Sequence, residues 1–223
     1  RSTLLSYPTL FRSPTTAGTG SEATYIAVIK DHQEGRKLLF GDYNILPNVA
    51  ILDPRMTEGL PPKLTAATGM DAMCHAIEAL YSLQREPIAD GLALHAIRLI
   101  KEFLPRAVEN GKDMTARGQM LLAANMAGSA FSNAQVGLVH ALAHSVGAVF
   151  GVHHGLANSI LLPACLRYNA DACGDICLNV LSALEVGTEG IQADQAGEIV
   201  ADKIIEFTKK LGLPQRLRDV GVP

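Results

Sequence analysis

Pro61-Pro-Lys-Leu-Thr-Ala-Ala-Thr-Gly-Met-Asp-Ala-Met-Cys-His-Ala-Ile-Glu-Ala-Leu-Tyr81 is the stretch at which the chain changes character. Two prolines give way to an Ala/Met-rich run with apolar residues three and four apart, which is the periodicity of a packed helix. Downstream the same pattern recurs. It predicts helices at about 64–82, 87–108, 113–133, 137–149 and 154–169, with two weaker ones at about 173–184 and 193–211. Gly212-Leu-Pro214 closes the last of these, since glycine suits a C-terminal cap and proline cannot continue a helix. Upstream of the prolines the reading is different. Glu22 to Lys30 carries Tyr25, Ile26, Val28 and Ile29, and Asn48 to Leu52 is a short β-branched run ending at Asp53-Pro54, so both read as strands of a sheet. The expected division is therefore an α/β remnant at 1–60 followed by an all-α helical bundle at 61–223. A few strands make no stable layer alone, which leads to the expectation that both ends of a longer protein are missing.

Composition narrows the function classes. The 223 residues are 48% hydrophobic with a formal charge of -3, enough for a large core. No Lys/Arg cluster is arranged to track a phosphate backbone, which argues against nucleic acid as a partner and for a small molecule. The longest apolar run, Leu156 to Leu166, is interrupted by Asn158, Ser159 and Pro163 and is shorter than the roughly 20 residues that span a bilayer, so no membrane partner is expected. Arg1 to Pro8 lack the apolar core of a secretory signal, and a cytoplasmic location is the default. Cys74, Cys165, Cys173 and Cys177 are too scattered for a disulfide scaffold and read as reduced thiols.

The chemistry is carried by acidic and imidazole side chains at helical spacing. Asp71 and His75 lie four apart and emerge from one helix face, and His140 and His144 repeat the spacing on another helix. His153 and His154 open a third. Each pair alone is an ordinary feature of a helix, but their coincidence in one helical region points to a shared ion. A carboxylate with several imidazoles suits Fe(II), Zn(II) or a similar first-row cation and suits calcium or copper(I) poorly. His32 and His95 have no comparable neighbours and read as loop or surface residues.

Four stretches, in order, carry a resemblance: Pro14-Thr-Thr-Ala-Gly-Thr-Gly-Ser-Glu22, Ala67-Thr-Gly-Met-Asp-Ala-Met-Cys-His-Ala-Ile-Glu78, Gly137-Leu-Val-His-Ala-Leu-Ala-His144 and His153-His-Gly-Leu-Ala-Asn158. Over nearly its whole length the chain resembles the iron-containing (group III) NAD(P)-dependent alcohol dehydrogenases. The resemblance implies a dehydroquinate synthase-like architecture, Fe(II) or Zn(II) with NAD or NADP as cofactors, and a small alcohol or aldehyde as substrate. It leaves room for a homo-oligomer. By position it assigns Asp71, His75, His140 and His154 to the metal and His144 to catalysis beside it, with His153 outside the ligand set. It further implies that Thr15, Thr16, Gly18, Thr19, Val28 and Lys37 border the cofactor, Lys37 near its ribose, and that Phe131 lines the substrate pocket. In the cation's field an alcohol would lose its proton more easily, which prepares hydride departure from its carbon.

There are departures too. Leu10-Phe11-Arg12-Ser13 stands where the resemblance implies a purely aliphatic strand. The family's N-terminal half, with its Gly-Gly-Gly-Ser phosphate loop, has no counterpart in this sequence. Weak cofactor binding, without discrimination between NAD and NADP, is expected of the chain on that basis. The competing readings are a glycerol dehydrogenase-like relative and a truncated, catalytically inactive helical module for metal binding or assembly.

Overall fold

The computed structural model describes residues 10–31 and 33–223. The readings of Arg1 to Pro8 and of His32 lie outside the described residues. The first part consists of short strands. β1 (Phe11–Arg12) pairs parallel with β4 (Val49–Ala50), and β2 (Ile26–Asp31) forms an antiparallel hairpin with β3 (Arg36–Gly41), in which Val28 faces Leu39 and Lys30 faces Lys37. The strand expected from Glu22 starts four residues later, because Ser21–Ala23 closes into a 3-10 turn behind Gly20 in the left-handed region. Arg12 sits in β1 at the edge of the two-stranded sheet and donates to the Ser21 carbonyl at 2.6 Å, so its departure from an aliphatic strand is accommodated by a local backbone partner.

Seven α-helices follow among the described residues: α1 (Pro62–Tyr81), α2 (Pro87–Glu109), α3 (Met114–Ala134), α4 (Leu138–Phe150), α5 (His154–Tyr168), α6 (Ala170–Ala183) and α7 (Ala193–Lys210). Their ends are set by recognisable chemistry. Pro62 and Pro87 occupy first-turn positions where the missing N–H costs nothing, Asp113 accepts from the Ala116 amide, and Gly212 takes φ 70° just beyond α7. Among the helices the main deviation from the sequence reading is at α6, which begins at Ala170. Cys173 has φ -125° and ψ 17° inside it, so a short turn is joined across a kink to the regular helix whose periodicity the sequence displays.

The centre of the domain is α1. Every residue from Thr65 to Leu80 is buried, and α2, α3, α5 and α6 pack around the helix. Met70, Met73, Ile77 and Leu80 fill the interior, while alanines and Gly69 let neighbours approach. Such a helix has no solvent face. Its ionisable residues Asp71, His75 and Glu78 must therefore each find partners in the interior.

Candidate metal centre

Asp71, His75 and Glu78 follow one another at intervals of four and three, which aligns them along one stripe of α1. The N-terminal turns of α4 and α5 come up to this stripe. α5 approaches so closely that a Cβ on Gly155 would lie 2.1 Å from the Ala67 carbonyl oxygen of α1. Only glycine allows that contact, and it carries the neighbouring His154 to Asp71.

At the junction, ligand atoms of Asp71, His140 and His154 all lie within 4.8 Å of one another. Asp71 Oδ1 is 3.7 Å from His140 Nε2 and 3.5 Å from His154 Nε2. Asp71 and His140 are buried and His154 is about a quarter exposed, its side chain at 26%, so the cluster has one open side. His75 is next to this group but turned differently. Its ring stacks between Phe131, at 4.2 Å between centroids, and His140, at 4.4 Å, and its Nδ1 is buried without a partner. His144 stands at the edge, 5.0 Å from the His154 ring and 6.2 Å from that of His140.

The donor set fits a cation on its own geometry. Asn158 Nδ2 sits among the three facing atoms, donating to Asp71 Oδ1 at 2.6 Å and lying 3.1 Å from His140 Nε2 and 3.2 Å from His154 Nε2. An amide nitrogen has two hydrogens and cannot satisfy three neighbours at once, so the group is short of a partner that a cation would supply. Charge points the same way. Burial would push the Asp71 carboxyl up, but the surrounding histidines outweigh it and hold it well below the usual carboxylate range. Burial also opposes charge on His140, yet the carboxylates of Asp71 and Glu78 carry its pKa up to about 9. Two carboxylates thus concentrate positive charge at this point. Chiefly through burial, the other imidazoles go the opposite way, to about 4 for His75 and His144 and about 3 for His154, which leaves their lone pairs free at neutral pH.

Glu78 is a participant that the sequence reading quotes but does not assign. Fully buried, it lies on the far side of His140 and bonds to that ring's Nδ1. Burial pushes it up, but bonds from His140, Tyr81 and the Val139 amide prevail and hold it below its ordinary value. Asn158 is the second such residue. Four positions after His154, it shares that residue's helix face, and this spacing is the signal for it.

Thr15, Thr16 and Thr19 belong to a bend over 15–19 in which Thr15 and Thr19 are exposed, while Gly18 is buried against Thr68 of α1. Lys37 reaches from β3 to α4. Its Nζ is 3.4 Å from where a Gly147 Cβ would be, one turn beyond His144, and burial lowers its pKa against the raising influence of Asp71. Val28 is half exposed on β2, Phe131 is buried against His75, and His153 and His95 are exposed.

Fold and donor set together define a helical domain with a buried site suited to a first-row transition metal. Residues 65–223 match the Fe-containing alcohol dehydrogenase family, C-terminal, and residues 6–54 match the iron-containing alcohol dehydrogenases. The chain belongs to the iron-containing alcohol dehydrogenase family. It is 45% identical over 212 residues to the probable alcohol dehydrogenase EutG of Escherichia coli (strain K12), covering 95% of this chain and 52% of that protein. To the 1,3-propanediol dehydrogenase of Citrobacter freundii it is 40% identical over 215 residues, 96% of this chain and 56% of that one. The crystal structure of a 1,3-propanediol oxidoreductase superposes with a TM-score of 0.91 at 39% identity, covering 96% of this chain and 56% of the other. The chain spans about half the length of the curated relatives it matches.

Proposed function

We propose that the chain supplies the metal centre and the adjoining edge of the cofactor site in an NAD(P)-dependent alcohol dehydrogenase acting on a small alcohol or aldehyde. Residues 61–223 form its metal-binding domain, and residues 1–60 belong to the dinucleotide-binding part. The observation that carries this reading is the convergence of Asp71, His140 and His154 on one point, in a chain whose relatives are named as alcohol dehydrogenases. Those three residues and His75 would hold Fe(II) or Zn(II). When bound, the cation supplies Lewis acidity that makes a substrate hydroxyl easier to deprotonate.

The chain's own groups provide the rest. His144, held neutral by burial and by the nearby Lys37 charge, has a free nitrogen at the open side and accepts a proton there. Phe131, stacked on His75, forms an apolar wall that keeps water from the reacting carbon. Lys37 offers an ammonium group toward the cofactor's polar portion, and Thr15, Thr16 and Thr19 offer hydroxyls beside it. No described helix is long and apolar enough to cross a membrane.

Elemental analysis tests the assignment. The purified chain should hold about one divalent ion, and His140→Ala should lower its affinity by about 10-fold or more. His144→Ala should retain the ion and, in a protein of the relatives' full length, lower turnover by roughly 10²-fold. Unchanged metal content in His140→Ala would remove the proposal.

A further inference from the structure

Glu78 is attached to α4 more than to its own helix. Its Oε1 accepts from the Val139 amide at 2.8 Å and the Tyr81 hydroxyl at 2.9 Å, and its Oε2 accepts from the His140 amide at 3.3 Å and from His140 Nδ1. A carboxylate with no solvent exposure survives ionised only when its lone pairs are filled, and here each oxygen has two donors. Room for this is made by Gly137, where a Cβ would sit 3.0 Å from Glu78 Oε1 and 2.9 Å from the Tyr81 ring. The same glycine is the N-cap of α4 and has no side chain to cap it, so the first amides of α4 are capped from α1 instead.

Capping alone does not require a charge, because a hydroxyl or neutral amide accepts from helix amides as well. The bond to His140 Nδ1 does something further. It fixes which ring nitrogen carries the permanent proton and leaves Nε2 aimed at Asp71 and His154. We infer that Glu78 is a positioning residue for the metal: through Nδ1 it orients His140 and makes its Nε2 a stronger donor, while it anchors the first turn of α4. The inference rests on the reading of Asp71, His140 and His154 as the metal set. A carboxylate behind a coordinating imidazole polarises the ring and holds its direction, and loss of such a partner typically costs 10–100-fold in metal affinity.

The test uses the whole 223-residue chain with Zn(II) as the probe, in chelator competition and by NMR of ¹⁵N-labelled histidine. In the native protein with zinc, His140 should carry its proton on Nδ1, in a strongly deshielded signal, with the metal on Nε2. Glu78→Gln keeps the side-chain length and one oxygen for the α4 amides. It should stay folded by circular dichroism, shift the Nδ1–H signal upfield and bind zinc about 10–100-fold more weakly. Tyr81→Phe, which removes a different donor from the same carboxylate, should stay within about 3-fold of native affinity, well short of the 10–100-fold loss of a partner to the imidazole. A folded Glu78→Gln with native affinity overturns the inference. Should that variant not fold, the native spectrum decides: zinc on Nδ1 with the proton on Nε2 overturns it, and the reverse arrangement supports it. If zinc binding is indifferent to His140→Ala, the metal assignment itself has failed and takes this inference with it, an outcome distinct from native binding with an indifferent Glu78→Gln.

Discussion

At the scale of single residues, the site is a small set of ligand atoms gathered in the interior with one open side, and Asn158 is what bridges them without a cation. Its amide donates to Asp71 at 2.6 Å and lies 3.1 Å from His140 Nε2 and 3.2 Å from His154 Nε2. Removing it takes a donor from the buried Asp71 carboxylate, at a cost of about 1–3 kcal/mol for a group left unsatisfied. A bound cation would engage those same atoms and make the amide less necessary. Asn158→Ala should therefore lower the melting temperature of the metal-free chain more than that of the zinc-loaded chain. Thermal melts with and without zinc measure the difference, and equal losses in both states would mean that Asn158 merely packs. The sequence shows the pairs Asp71–His75 and His140–His144 by their spacing on helices, while the choice of His154 over His153 rests on the resemblance alone. It does not show Glu78, although that residue continues the Asp71–His75 stripe, because an acidic residue near the end of a helix reads as solvated until the whole helix is known to be buried. Nor does spacing reveal that the His75 ring stacks on Phe131, since χ angles are decided by neighbours from other elements.

Among the secondary-structure elements, glycines decide how near the helices come, and two of them have opposite expected effects. Glycine in a helix is ordinarily worse than alanine by roughly 0.5–1 kcal/mol. Gly91 on α2 has open space where a Cβ would go, so Gly91→Ala should stabilise by about that amount. Gly155 on α5 has the Ala67 carbonyl oxygen at 2.1 Å from the same position. There overpacking, at about 1–3 kcal/mol, outweighs the propensity gain, and α5 must back away from α1 with His154 attached. Gly155→Ala should thus lower both unfolding free energy and zinc affinity, whereas Gly91→Ala should raise the first and leave the second alone. Urea unfolding and chelator competition on the two variants check the signs. Helix positions were legible to within a few residues because the Ala/Leu/Met periodicity is long and uninterrupted, and because Pro62, Pro87 and Gly212 mark ends. The exceptions have local causes. The kink at Cys173 hides the first turn of α6, and the left-handed Gly20 turns Ser21–Ala23 away from the expected strand. Interhelical distances have no such signature, since whether a glycine faces solvent or a neighbouring carbonyl depends on tertiary packing.

For the molecule as a whole, stability is unevenly distributed between the helices that meet at the site. α1 is buried without a break from Thr65 to Leu80, whereas α4 buries only Val139, His140, Ala143 and Gly147 and leaves Leu142, Val149 and Phe150 exposed. The first turn of α4 is tied to α1 by the Glu78 bonds, and His140 is the one residue of α4 in the converging set. Local opening is cheapest where few apolar contacts must be broken, so α4 should open before α1. A cation held by Asp71, His140 and His154 would join α1, α4 and α5, and binding that favours the folded form stabilises it by about 2.7 kcal/mol at a free concentration 100 times Kd. That stabilisation should not be spread evenly. Chelating the metal should lower the melting temperature and speed hydrogen exchange of the α4 amides, while amides in the middle of α1 change little until global unfolding. Hydrogen-exchange mass spectrometry of zinc-loaded and chelated protein measures the pattern, with His140→Ala as a variant whose α4 should exchange rapidly under both conditions. Uniform protection changes across all helices would mean that the site contributes only to global stability. A change confined to α4 and the first turn of α5 would show the metal acting as the clasp that holds the weakest helix against the strongest.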